Sequence, residues 1–221
     1  MRRLVLVLCA GLCCGVGTAE TVRIVRAPVW VYLETVPGSM TPEELAAKMP
    51  PIQELDEISR FVLAGMVYGW RYSYTPSDKT RNVAEFFSLE PLQVIPRGDP
   101  RFSLSKLTPD YPRLSCWAEF TLDESVARWT DSWNSVLYKN VRGRGRGERT
   151  DEIAGIKSAY TQAVLQAVRE AARKLEKNKP KEIRGEVLLR SEPRLFVEEG
   201  WFVADLRLLN HIDEIVPYQT F

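Results

Sequence analysis

The sequence predicts an α+β protein: a mostly antiparallel sheet packed against two or three helices, behind a cleaved signal peptide. Three observations carry that expectation. The first 19 residues have the order of an export leader, residues 150–178 read as one long amphipathic helix, and residues 182–209 alternate apolar with polar side chains. A helix with one apolar stripe and a sheet with one apolar face each lack a partner in water. Laying one on the other supplies both.

The leader comes first. Met1-Arg2-Arg3 is basic, Leu4 through Val16 is apolar and uncharged, and Gly17-Thr18-Ala19 puts small residues where a signal peptidase reads, so that Glu20 opens the mature chain. The apolar run is shorter than the about 20 residues a spanning helix needs. The expected location is therefore export, to the periplasm or the extracellular space. A lipid anchor is the alternative, but Cys9 follows Leu8, Cys13 follows Leu12 and Cys14 follows Cys13, and none has the small residue expected before a modified cysteine. Losing Arg2 and Arg3 takes the formal charge from +1 to −1. No global field then favours nucleic acid. No later run is apolar enough to span a membrane, and a mature chain of this length can bury roughly 70% of its unfolded surface. The expectation is one α+β domain over residues 20–221, with a subdivision near 96–112 as the alternative.

Thr21 to Glu34 reads as a first strand, and Pro28 within it points to an edge position or a bulge. Thr41-Pro42-Glu43-Glu44 has the residues of a helix start: a cap, proline at the first position, and glutamate three residues after the cap. Pro50-Pro51 ends that short helix. A second helix follows from Ile52, with Leu55, Ile58, Val62 and Met66 on one face, and ends near Gly69. Its end is apolar all round, which suits a buried helix or a strand alike. Trp70 to Tyr74 alternates as a strand. Residues 75–94 read either as a hairpin returning through Phe86 and Phe87 or as another short helix, with the hairpin preferred. Residues 96–112 are dense in Pro, Gly, Asp and Ser and read as an irregular connection.

Arg113 to Leu122 is expected to be a central strand containing Cys116. A helix from Asp123 to about Tyr138 follows, on the spacing of Val126, Trp129, Trp133 and Val136. The run Arg142-Gly143-Arg144-Gly145-Arg146-Gly147 is expected to break regular structure. Thr150 then caps the long helix, Asp151 and Glu152 suit its positive end, and Arg173, Lys174 and Lys177 suit its negative end. Its stripe is Ile153, Ile156, Tyr160, Val164, Ala167, Ala171 and Leu175. Ile183, Val187 and Leu189 alternate with Arg184, Glu186 and Arg190. Glu199-Gly200 turns a hairpin whose second strand puts Phe202, Ala204, Leu206 and Leu208 on one face.

Few residues offer chemistry. The arginine-glycine run gives three forked donors for phosphate or carboxylate on a free backbone, although a solvated linker explains the same composition. Arg142, Arg144 and Arg146 are thus the candidates for binding an anion or a partner, and Trp201, opposite Phe202, is the candidate exposed anchor. His211 is the one histidine. With Asp213 and Ser191 it could form a triad only by geometry the sequence does not reveal, and no nucleophile elbow is present. Cys116 has no second thiol outside the leader and reads as core. No zinc ligand set and no calcium loop occurs, so neither metal nor cofactor is expected. Acid pairs such as Glu119 with Asp123, or Glu198 with Glu199, are too common to identify a site.

These features predict no catalytic residue. They favour an exported, non-enzymatic binding or assembly module whose partner is an envelope protein or polymer. The alternative is a carboxylate-dependent hydrolase acting on cell-wall glycan, which needs only two converging acids.

Overall fold

The computed structural model describes residues 22–175 and 178–218. The expected signal peptide over residues 1–19, with Cys9, Cys13 and Cys14, and the expected helix-end residue Lys177 lie outside the described residues. The elements run β1 (Arg23–Tyr32), α1 (Pro42–Ala47), α2 (Pro51–Val67), β2 (Trp70–Thr75), β3 (Phe86–Pro91), β4 (Phe102–Asp110), β5 (Arg113–Leu122), α3 (Glu124–Ser132), β6 (Lys139–Glu148), α4 (Glu152–Leu175), β7 (Glu182–Leu189), β8 (Arg194–Glu198) and β9 (Trp201–Val216).

The α+β class with antiparallel pairing is as expected, but the strands among the described residues make two sheets. The smaller has the order β1-β5-β4. The larger has the order β3-β2-β7-β9-β6, with β8 pairing to β9 beyond the end of β7. The reason lies in α2. Leu55, Ile58, Val62, Leu63 and Val67 are all fully buried, so this helix is apolar around most of its girth. One flank covers Ala27, Val29 and Val31 of β1 with Cys116, Ala118 and Phe120 of β5. Its other side meets β7 and α4. A helix with apolar residues on two flanks needs cover on both, and the second sheet provides it. No helix among the described residues is long and apolar enough to cross a membrane.

Several local expectations agree with the structure. Thr41 and Glu44 exchange the two bonds of a capping box. β2 and β3 form the hairpin, β5 is the central strand of its sheet, and Pro28 lies on an edge strand. Others need correction. Residues 96–112 are not wholly irregular: β4 pairs with β5, shifting register between Ser105 and Thr108, where Lys106 has φ 50°. β4 alternates only over Phe102-Ser103-Leu104-Ser105, where Phe102 and Leu104 pack against the core, and the rest of the strand is exposed. The helix after Asp123 stops at Ser132, because Trp133 leaves it to pack on Leu188 and Leu209. Thr150 does not cap α4. It lies in a 3-10 turn, Arg149–Asp151, and the helix opens at Glu152. β9 runs to Val216, so His211 sits within the strand and not beyond it.

The largest correction concerns the arginine-glycine run. It is not a linker but the strand β6, paired with β9 from Lys139↔Asn210 to Glu148↔Trp201. The glycines all face α4. A Cβ built on Gly143, Gly145 or Gly147 would come under 3.0 Å from the backbone of Ala163, of Ala159 and Ala163, or of Gly155 and Ala159, respectively. The helix meets them with a stripe of its own small residues, Gly155, Ala159, Ala163 and Ala167, all buried. Two strand residues advance about 6.7 Å and four helical residues about 6.0 Å, so the two ladders stay nearly in step over three repeats. Glycine lowers strand propensity, and here that loss is offset by a helix seated directly on the backbone of an edge strand.

Replacing Gly145 by Ala should therefore cost about 1–3 kcal/mol or more, as overpacking of a rigid contact does. Arg144→Ala, on the solvent side of the same strand, should cost no more than about 1 kcal/mol, as for an exposed ion pair. Urea unfolding of both variants checks this; equal stabilities would mean the helix does not sit on the glycines.

Candidate functional site

Because the glycines of β6 face α4, Arg142, Arg144 and Arg146 face the opposite side of the sheet. Arg142 stands directly across from Arg207 of β9. The backbone oxygen of Arg207 accepts from the Arg190 amide at 2.9 Å, on the β7 side. Arg142 and Arg207 thus form a non-hydrogen-bonded pair, the kind whose Cα atoms lie only about 4.5 Å apart. Like charges placed so are destabilising. In the next row Arg144, Asp205 and Arg194 lie across β6, β9 and β8.

These strands form one wall of a basin of about 850 Å³; the N-terminal part of β1 and the loop Ser191–Pro193 complete it. Arg26, Arg142, Arg194 and Arg207 line it, with Val25, Pro28 and Met66 as apolar lining. Arg26 lies over the ring of Trp117 at 4.9 Å, an arrangement that holds its stem in place. Asp205 and Glu192 also reach the basin. Even so, among the described residues no carboxylate lies within 4.0 Å of a guanidinium nitrogen of these four arginines. Other arginines are paired: Arg23 with Asp131 at 2.7 Å, Arg60 with Asp56 at 2.8 Å, and Arg101 with Asp99 and Asp123 at 2.8 and 2.7 Å.

The candidates from the arginine-glycine run separate on this geometry. Arg142 belongs to the basin. Arg144 meets Glu198 at 2.5 Å, while Arg146 meets Glu198 at 3.3 Å and Glu199 at 3.4 Å, so both tie β6 to the β8–β9 hairpin. Trp201 is 38% exposed, while its neighbour Phe202 is buried. It stands at a different groove, about 580 Å³, between β6 and α4. Sequence reasoning did not single out Arg26, Arg194 or Arg207. Each looks like an ordinary solvent-side residue until strand register sets it beside the others.

The remaining chemical candidates are tied up elsewhere. His211 Nε2 meets Asp213 at 3.4 Å and the ring packs on Tyr138. Ser191 lies in the basin instead, which His211 does not line. Cys116 is buried beside Ser59, and burial pushes its thiol up to about 11. Glu119 accepts from Ser105, while Asp123 caps α3 and binds Arg101. Among the described residues no group of three His, Cys, Asp or Glu stands close enough for a metal.

Pairs of carboxylates share one cation at Arg101, at Arg146 and at Arg184. A largely buried pair converges on Lys48, which lies 2.7 Å from Glu152 and 3.7 Å from Glu54. The adjoining void is about 10 Å³, too small for a sugar ring, and the ammonium group stands between the acids. This cluster links α1, α2 and the start of α4.

Comparison with known proteins adds lineage. A family model without a functional description matches residues 12–218. A protein of Treponema pallidum (strain Nichols), described as an uncharacterized protein, is 43% identical over 197 residues, spanning 89% of this chain and 83% of its own. The chain belongs to that family. No solved structure matches it. The family extends across both sheets and α4, so the basin and the glycine strand lie within its bounds.

The Lys48 cluster yields a pH test. Burial raises the Glu54 carboxyl above its ordinary range, against the pull of Lys48. Its folded pKa exceeds its unfolded one, so stability from this group falls as pH rises from the ordinary carboxylate value through the raised one. Glu54→Gln has no such proton to lose. Its stability relative to the parent should improve as pH rises from about 4.5 through the raised value and then level off, measured by urea unfolding at a series of pH values. A difference that stays flat would contradict the assignment.

Proposed function

We propose that this chain is an exported, non-enzymatic binding module of the cell envelope, and that its basin receives an anionic group borne by another envelope component. One observation carries the reading. Four arginines from β1, β6, β8 and β9 converge on one open basin with no ion-pair partner among the described residues, and two of them are directly opposed across strands. Holding like charges together costs stability, and a bound anion would offset that cost while using the fork geometry of the guanidinium groups. The basic, apolar and small-residue order of residues 1–19 supports export. The apolar lining from Val25, Pro28 and Met66 suits an anionic group carried on a larger molecule more than a bare ion.

Titration calorimetry with poly-L-glutamate and with polyphosphate tests this and separates carboxylate from phosphate. At least one should bind, and weaken as salt is raised. Arg142→Ala and Arg207→Ala should each reduce that affinity by about tenfold or more, the loss expected for a hydrogen bond to a charged group. Arg128→Ala, at an exposed pair on α3, should leave it unchanged. Failure of both polymers to bind, or binding indifferent to Arg142 and Arg207, would refute the reading.

A further inference from the structure

The edge of β6 that lies away from β9 has no strand beside it among the described residues. Its chemistry follows from one hydrogen bond. The backbone N–H of Arg144 donates to Oε1 of Gln166, on α4, at 2.6 Å. That N–H therefore points away from β9. In an antiparallel strand the N–H and C=O of one residue share a side, and the side alternates along the chain. Arg142, Arg144 and Arg146 hence direct their backbone groups to the open edge, while Gly143, Gly145 and Gly147 bond to β9. Gln166 already imitates an incoming partner at Arg144, its amide oxygen standing where a neighbouring strand would place a carbonyl.

α4 does not close this edge. It rests on the glycine face and leaves beside the edge a groove of about 580 Å³, flanked by Gln162, Leu165 and Arg169, with Trp201 at one end. The strand is also held rigid, because any slip would drive the next residue's Cβ into α4. A fixed strand with an open edge beside a helix is ready to accept an added strand.

The side chains select what is added. Antiparallel pairing with a second copy, centred on Arg144, would set Arg142 against Arg146 and Arg144 against itself. Like charges opposed in this way disfavour the pairing. An extended segment with acids at alternate positions would instead set one carboxylate beside Arg142, which has no acid partner among the described residues, and others where they compete with Glu198 and Glu199 for the exposed Arg144 and Arg146; the end near Arg142 would reach the basin. We infer that the partner is an acidic polypeptide segment, which binds extended and adds as a further strand to the edge of β6. This rests on the anion reading above and specifies the partner.

Amide hydrogen exchange of the protein, alone and with an excess of the peptide acetyl-(Asp-Val)4-amide, tests it. Exchange at Arg142 and Arg146 should slow by roughly two- to tenfold, the net worth of a backbone hydrogen bond. Gln166→Ala, which frees the Arg144 N–H, should tighten peptide binding by a similar factor, with acetyl-(Lys-Val)4-amide failing to bind. Peptide binding that depends on Arg142 but leaves the β6 amides unprotected would overturn strand addition and keep the anion reading. Binding of polyphosphate alone would do the same. If neither peptide nor any polyanion binds, both readings fall.

Discussion

The contact between the glycines of β6 and the small residues of α4 constrains everything around it. A helix normally stands about 10 Å from a sheet, separated by side chains. Here Gly143, Gly145 and Gly147 remove one layer of side chains, and Gly155, Ala159 and Ala163 thin the other, so backbone meets backbone. The contact fixes the register of β6, since a one-residue slip would turn arginines toward the helix. It also fixes which way Arg142, Arg144 and Arg146 face. Composition that looks disordering in isolation is thus a packing device once the helix is in place.

From that contact follow two properties of the outer surface. Three arginines are held in a row on a strand that cannot relax away from its neighbours, and one of them is forced against Arg207. Arg144 and Arg146 find Glu198 and Glu199 across the hairpin; Arg142 finds no acid among the described residues. The smaller sheet then completes the basin. It is seated by α2, whose burial on both flanks brings the start of β1, with Arg26, against the outer strands. Charge, exposure and rigidity therefore coincide at one end of β6, for reasons that begin in the interior.

Much of this architecture was legible in the residues. Long periodic segments declare themselves, as α4 does from Ile153 to Ala171 and β9 does from Phe202 to Leu208. So do segments with turn or cap chemistry, as at Thr41 and at Glu199-Gly200. What stayed hidden depended on partners distant in the chain. β4 alternates only from Phe102 to Ser105, a short run that the surrounding Pro, Gly and Asp residues obscure. The helical expectation past Ser132 failed where Trp133, still in contact with Trp129, is buried against Leu188 and Leu209 of the larger sheet. The arginine-glycine run read as a linker because glycine and charge are both poor in strands. Its explanation, a stripe of small residues four apart, lies in another element. The basin needed strand register as well, for Arg194 and Arg207 are unremarkable until β8 and β9 are aligned with β6.

The central claim is that residues 139–148 are an ordered edge strand seated on α4, and amide exchange of the unliganded protein tests it residue by residue. The amides of Gly143, Gly145 and Gly147, bonded to β9 under the helix, should exchange far more slowly than those of Arg142 and Arg146, which face the open edge. An alternation with a period of two along this segment is the predicted result. Fast, uniform exchange from Lys139 to Glu148 would mean a solvated linker, and would remove the foundation for both the basin and the binding edge.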